Sequence, residues 1–112
     1  MATTSMATMI RQFDVVSNPI VSARAVRPCL ICVQHRILEY AGTRLMAALT
    51  TEKVDQSLPR LHPRFEIKGL TLYLLPQDLL TLPLDRLRDP VANLESERDK
   101  IIAALDLVFT GI

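Results

Sequence analysis

Residues 89–112 read DPVANLESERDKIIAALDLVFTGI, and their periodicity decides the fold class. Leu94, Ile101, Leu105, Val108 and Ile112 recur at helical spacing, with Arg98 on the same line. Ile102 and Phe109 widen the stripe. The pattern predicts a long amphipathic helix that begins between Asp89 and Asn93 and runs almost to Ile112. Asp89-Pro90 offers an N-cap followed by proline at the first helical position, with Asn93 as a rival cap. Glu95 and Glu97 fall in the first turns, where carboxylates favour the helix dipole. The stretch closes on Phe109-Thr110-Gly111-Ile112 with no polar tail. Chain ends fray unless something holds them, so this one is expected in an interface or in the core.

Upstream of the helix the patterning is that of strands. Residues 12–16 predict a first strand with Phe13 and Val15 on one face, broken by Asn18-Pro19. An irregular stretch leads to Pro28. Residues 29–34 predict a second strand, apolar on both faces and therefore central. Ala41-Gly42 marks a turn before a third strand at residues 44–49. Residues 50–63 are polar and turn-rich, with room for one short helical turn. Phe65-Glu66-Ile67 and residues 70–75 flank Lys68-Gly69, a two-residue hairpin loop in which glycine supplies positive φ. Pro76 is expected to end that hairpin, and residues 78–84, interrupted by Pro83, to form a further strand or an edge. A helix packed on a mostly antiparallel sheet follows, an α+β and mostly β class.

The chain has 112 residues, the size of one domain. Residues 10–112 are read as that domain and residues 1–9 as a disordered extension. That extension has neither a basic nor an apolar region of the kind found in secretory signals. Apolar residues make up 49% of the chain, a surplus for so small a monomer that points to an oligomer. With 13 basic and 12 acidic residues there is no broad field for nucleic acid. Arg24, Arg27, His35, Arg36 and Arg44 cluster in sequence, but arginines along strands and loops read as solvated. No run approaches the roughly 18 apolar residues needed to span a bilayer. A cytoplasmic protein without membrane contact is expected.

The residues offer little catalytic chemistry. No phosphate loop, dinucleotide fingerprint, nucleophile elbow or zinc-protease helix is present. Cys29 and Cys32 have a redox-like spacing but lie in an apolar β-branched run. Three residues apart on a strand, they point to opposite faces and share neither a metal nor a disulfide. They read as buried free thiols. His35 ends the second strand without a partner set by spacing, and His62 before Pro63 reads as a surface residue. No catalytic residue, metal ligand or cofactor is assigned.

Three stretches together resemble the CcdB family of toxins from toxin–antitoxin modules. Gln12-Phe13-Asp14-Val15 is similar to the family's opening Gln-Phe-x-Val. Cys32-Val33-Gln34-His35-Arg36-Ile37-Leu38, leading into Gly42-Thr43-Arg44-Leu45, resembles its Val-Gln strand, aliphatic pair and Gly-Arg-Arg-Met. Residues 62–112 align without a gap and end in the family's Phe-x-Gly-Ile. The resemblance covers residues 11–112. It implies an SH3-like, partly open barrel of antiparallel strands with a small second sheet and a C-terminal helix. It also implies a two-fold homodimer in which the helix ends lie together, through Leu105, Val108, Phe109 and Ile112.

By the same resemblance the toxin has no enzymatic activity of its own. Its dimer inserts into the DNA gyrase A subunit and traps the cleaved-DNA complex, and a disordered antitoxin tail removes it. Operator DNA would be met only indirectly, through the antitoxin. The gyrase-facing positions carry over to Phe13, Ile37, Leu38, Asp106, Thr110, Gly111 and Ile112. Two depart from the family: Thr110 stands where Trp is typical and Asp106 where Asn is typical. Thr has no π face, so a stacking interaction of about 1–2 kcal/mol per ring with a gyrase Arg is lost. An ionised Asp accepts but does not donate a hydrogen bond. Two other readings follow: a diverged dimer that binds an antitoxin without poisoning gyrase, or an mRNA endonuclease of the related toxin fold. The latter needs a basic groove with an acid–base pair.

Overall fold

Antiparallel strands and one helix build the protein in the computed structural model, which describes residues 9–112. In chain order these are β1 (Asp14–Ser17), β2 (Cys29–Cys32), β3 (Thr43–Thr50), β4 (Arg64–Ile67), β5 (Leu70–Pro83), β6 (Ala92–Asn93) and α1 (Arg98–Thr110). The six strands form one sheet in the order β4-β5-β3-β2-β1-β6, curled into a nearly closed barrel. The small second sheet that the resemblance implies does not separate: β4 pairs with the first part of β5, which continues into the rest of the one sheet. The extension expected over residues 1–9 lies, apart from Met9, outside the described residues.

Alternation along the central strands builds two cores. Phe13, Val15, Cys29, Ile31, Ala47 and Leu49 face one side, where Ile101 and Ala104 of α1 pack over them. Val16, Leu30, Cys32, Met46 and Ala48 face the other, covered by Ile10, Leu75 and Leu87. β2 is thus central and buried on both faces, and its two thiols sit in different cores.

The Lys68-Gly69 turn forms as the spacing requires, with φ of 50° and 82° at its two residues. Pro76 does not end the strand. β5 runs through it to Pro83 by a bulge: Ala47 pairs with Leu79 and the next residue, Ala48, with Leu75. Pro76, Gln77 and Asp78 are left over, so the missing proline N–H breaks no ladder bond. The Asp78 carboxylate at this bulge meets the Arg27 guanidinium. The segment read as a separate strand is therefore the second half of β5, paired with β3. Residues 51–62 hold turns and no helix.

The helix starts later than its periodicity predicts. Asp89-Pro90 is no cap, because residues 91–94 first pair with β1. The Val91 and Leu94 N–H groups donate to the Val15 and Phe13 carbonyls at 2.7 and 2.9 Å. Satisfying that strand edge outweighs early helix formation. Asn93 Oδ1 then accepts from the Glu95 N–H at 2.8 Å, opening a 3₁₀ turn at Glu95–Glu97 that leads into α1.

Candidate functional site

α1 ends where its packing ends. Ile101 and Ala104 are wholly buried, and Leu105 and Val108 are half-buried. Phe109 and Ile112 are 67% and 83% exposed. The stripe predicted as continuous thus leaves the core within its last turn. Gly111 adopts φ 77° as the helix C-cap, its N–H donating to the Leu107 carbonyl at 3.1 Å. Asp106 and Thr110, four residues apart, share an exposed helix face. The Thr110 hydroxyl donates to the Asp106 carbonyl at 2.8 Å. Among the described residues the Asp106 carboxylate has no hydrogen bond or ion pair. The result is an apolar tip beside one uncompensated acid.

Ile37 and Leu38 stand on a 3₁₀ turn at Arg36–Leu38, between β2 and β3. His35 precedes it with its Nδ1 accepting from the Ile37 N–H at 3.0 Å, which occupies that nitrogen locally. Ile37 is 72% exposed and Leu38 44%. Both aliphatic residues face outward, whereas an extended segment would have hidden one of them. Tyr40 is exposed beside them. Its signal in the sequence is slight, an aromatic residue next to a glycine turn.

Phe13 lies elsewhere. It is fully buried at a left-handed backbone position (φ 71°), with the Arg98 guanidinium 5.6 Å from its ring centre. It holds the β1–α1 junction and offers no outward face in this conformation. Within the chain the carried-over residues therefore form two exposed groups, at the Arg36–Leu38 turn and at the end of α1, and one core residue. No hydrogen bond or ion pair joins the two groups among the described residues.

The other polar residues resolve mostly into structural roles. His62 is buried rather than on the surface, its Nδ1 3.1 Å from the Leu74 carbonyl. Arg44 is 1% exposed and not solvated. Burial pushes the pKa of both thiols up, away from the reactive thiolate. A polar cleft of about 510 Å³, unforeseen in the sequence, is lined by Arg11, Gln12, Arg36, Glu39, Asn93 and Glu95. Its residues come from three distant segments, so no spacing could reveal it. No helix among the described residues is long and apolar enough to cross a membrane.

Comparison with known proteins gives this geometry a family. Two solved structures share the fold. One is an endoribonuclease from a mycobacterial species, with a TM-score of 0.69 and 18% identity over 91% of this chain and 92% of that one. The other is a mycobacterial endoribonuclease in complex with its cognate antitoxin, with a TM-score of 0.71 and 18% identity over 88% and 93%. Identity that low speaks to the fold alone. No curated protein matches the chain. Residues 12–111, nearly the whole described domain, match the family model for "CcdB protein". The chain belongs to the CcdB family.

Proposed function

We propose that this protein is the toxin of a toxin–antitoxin module, acting as a homodimer that binds the DNA gyrase A subunit and traps its cleaved-DNA complex. A cognate antitoxin would neutralise it. The observation that carries this reading is the exposed end of α1. Phe109 and Ile112 stand out of the fold beside the Asp106 carboxylate, on a helix whose opposite face packs on the core through Ile101 and Ala104. Exposed apolar residues of this size at a helix end fit a protein interface better than solvent. In this reading Phe109 with Leu105 and Val108 meets the second protomer. Asp106, Thr110, Gly111 and Ile112, with Ile37 and Leu38 of the Arg36–Leu38 turn, meet gyrase. An incoming Arg would find the Asp106 carboxylate where the family's Trp ring is missing. The toxin itself makes and breaks no bond.

The test is gyrase supercoiling and cleavage-complex formation with the purified protein. Accumulated cleaved DNA supports the proposal, and unaffected supercoiling by a folded dimer overturns it. Thr110→Trp should raise trapping by about tenfold, since a stacked cation is worth roughly 1–2 kcal/mol. No gain would mean that loss of the ring is not what limits the activity. The diverged-dimer reading would be left with antitoxin binding alone.

RNA cleavage is the second reading, favoured by the Arg11, Arg36, Glu39 and Glu95 cleft and by the fold shared with endoribonucleases. Cleavage of a long RNA that is lost in Arg36→Ala and Glu39→Gln would establish it in place of gyrase poisoning.

A further inference from the structure

A second cleft, of about 540 Å³, opens between α1 and the segment that leads into β4, a terminal strand of the sheet. Pro59, Pro63 and Ala103 form its apolar surface, and Arg60, Arg64 and Lys100 ring it with positive charge. Among the described residues neither the Arg60 nor the Arg64 guanidinium makes a hydrogen bond or ion pair. Lys100 is bound only by Glu97, at 3.2 Å and largely exposed. Among the described residues Asp99 is the one acid in the lining, so the cleft is a net cationic site in a chain whose overall charge is +1. None of these residues belongs to the surface assigned above to gyrase or to the second protomer.

β4 adds a second and independent feature. It is a terminal strand of the sheet, and among the described residues one of its edges has no strand beside it. The Leu74 N–H donates to the Pro63 carbonyl at 3.0 Å, and the antiparallel alternation from there turns the backbone groups of Arg64 and Glu66 outward. Arg64 thus has its backbone on the open edge and its side chain in the lining of the cleft.

We infer that the β4 edge and the adjoining Arg60/Arg64/Lys100 cleft form a docking site for an extended, acidic polypeptide segment of a partner protein. The segment adds a strand to β4, sets its carboxylates against the free guanidinium groups and places an aliphatic side chain between the prolines and Ala103. A peptide fits better than a nucleic acid for two reasons. Open N–H and C=O groups match another backbone, not a phosphate chain. Among the described residues no aromatic side chain lines the cleft to stack a base. This chain's own residues 1–8 carry no acid and lack the chemistry that the cleft would recognise. Naming the antitoxin as the source of the segment rests on the toxin–antitoxin reading; the chemistry of the cleft does not.

The probe is a capped peptide of about seven residues alternating Glu or Asp with Val or Leu, titrated into the full-length protein by NMR. A version with Lys at every acidic position and a single-stranded RNA of similar length serve as controls. Amide shifts at Arg60, Arg64, Glu66, Lys100 and Ala103, saturating at up to about 1 mM peptide, are expected. Arg60→Glu with Arg64→Glu should weaken binding about tenfold or more, and Ala103→Trp should weaken it by filling the apolar contact. All three positions line an open cleft, so the fold should persist, and the same spectra check it. Absence of shifts at these residues, equal binding of the Lys peptide, or tighter binding of the RNA there would each overturn the inference. The Arg60→Glu/Arg64→Glu protein should still inhibit gyrase as well as the parent. If the parent itself does not inhibit, the gyrase proposal fails and the peptide titration still decides this one.

Discussion

Arg44 shows how much one side chain can carry in this fold. It is 1% exposed, and its guanidinium donates to the carbonyls of Ile10, Ala41, Thr43 and Glu39 at 2.8, 2.8, 2.9 and 3.3 Å. It thereby ties the chain before β1 to the turn before β3. In sequence it reads as one more solvated arginine, because the acceptors are backbone carbonyls, which leave no trace in side-chain pattern. Arg44→Met keeps the stem but leaves those carbonyls without their donor. It should cost about 3 kcal/mol or more in urea unfolding, whereas Arg36→Met, on an exposed turn, should cost under about 0.5 kcal/mol. The cysteines carry a pH signature. Burial raises both thiol pKa values, so the folded protein holds protons that the unfolded chain releases. Stability should therefore fall as pH rises through about 8.5 and above. The fall in urea midpoint between neutral pH and about pH 9.5 should be smaller in a Cys29→Ala/Cys32→Ala variant. An equal fall in both proteins would rule the thiols out.

Among the elements, the β4–β5 hairpin was the most legible and β5 the least. Lys68-Gly69 declares itself because a two-residue turn demands two positive φ values and one residue is glycine. Nothing lies within 4 Å of a methyl added at Gly69, so Gly69→Ala tests the backbone alone. It should destabilise by about 1 kcal/mol without changing the fold, seen as a lower urea midpoint with unchanged slope. Pro76 misleads as a stop signal because a bulge removes the obligation to donate, and bulges depend on the facing strand. The start of α1 misleads for a similar reason. Asp89-Pro90 satisfies every local rule for a cap, yet β1 takes residues 91–94 as its edge partner.

For the whole molecule, the apolar surplus visible in composition has a location. Part of it is the last turn of α1, where Phe109 and Ile112 project while Leu105 and Val108 are half-covered, and part is the turn that exposes Ile37 and Leu38. If that surface is the seam of a homodimer, Phe109→Asp should give a folded monomer at about 10 µM by light scattering, with circular dichroism unchanged. A dimer that survives the substitution would place the seam elsewhere, and the exposed apolar turn at Ile37 and Leu38 would be the next surface to vary.

The sequence by itself determined the fold class, the central β2, the hairpin turn and the family. These rest on period, on turn chemistry and on short motifs in a set order, all local properties of the chain. Only the tertiary structure decided that Phe13 and His62 are buried, that Arg44 is a structural cation and that β5 continues past Pro76. It alone brought Pro59, Arg60 and Arg64 to the side of Lys100 and Ala103. Each of these depends on which distant backbone groups need a partner, and that need exists only once the strands have met.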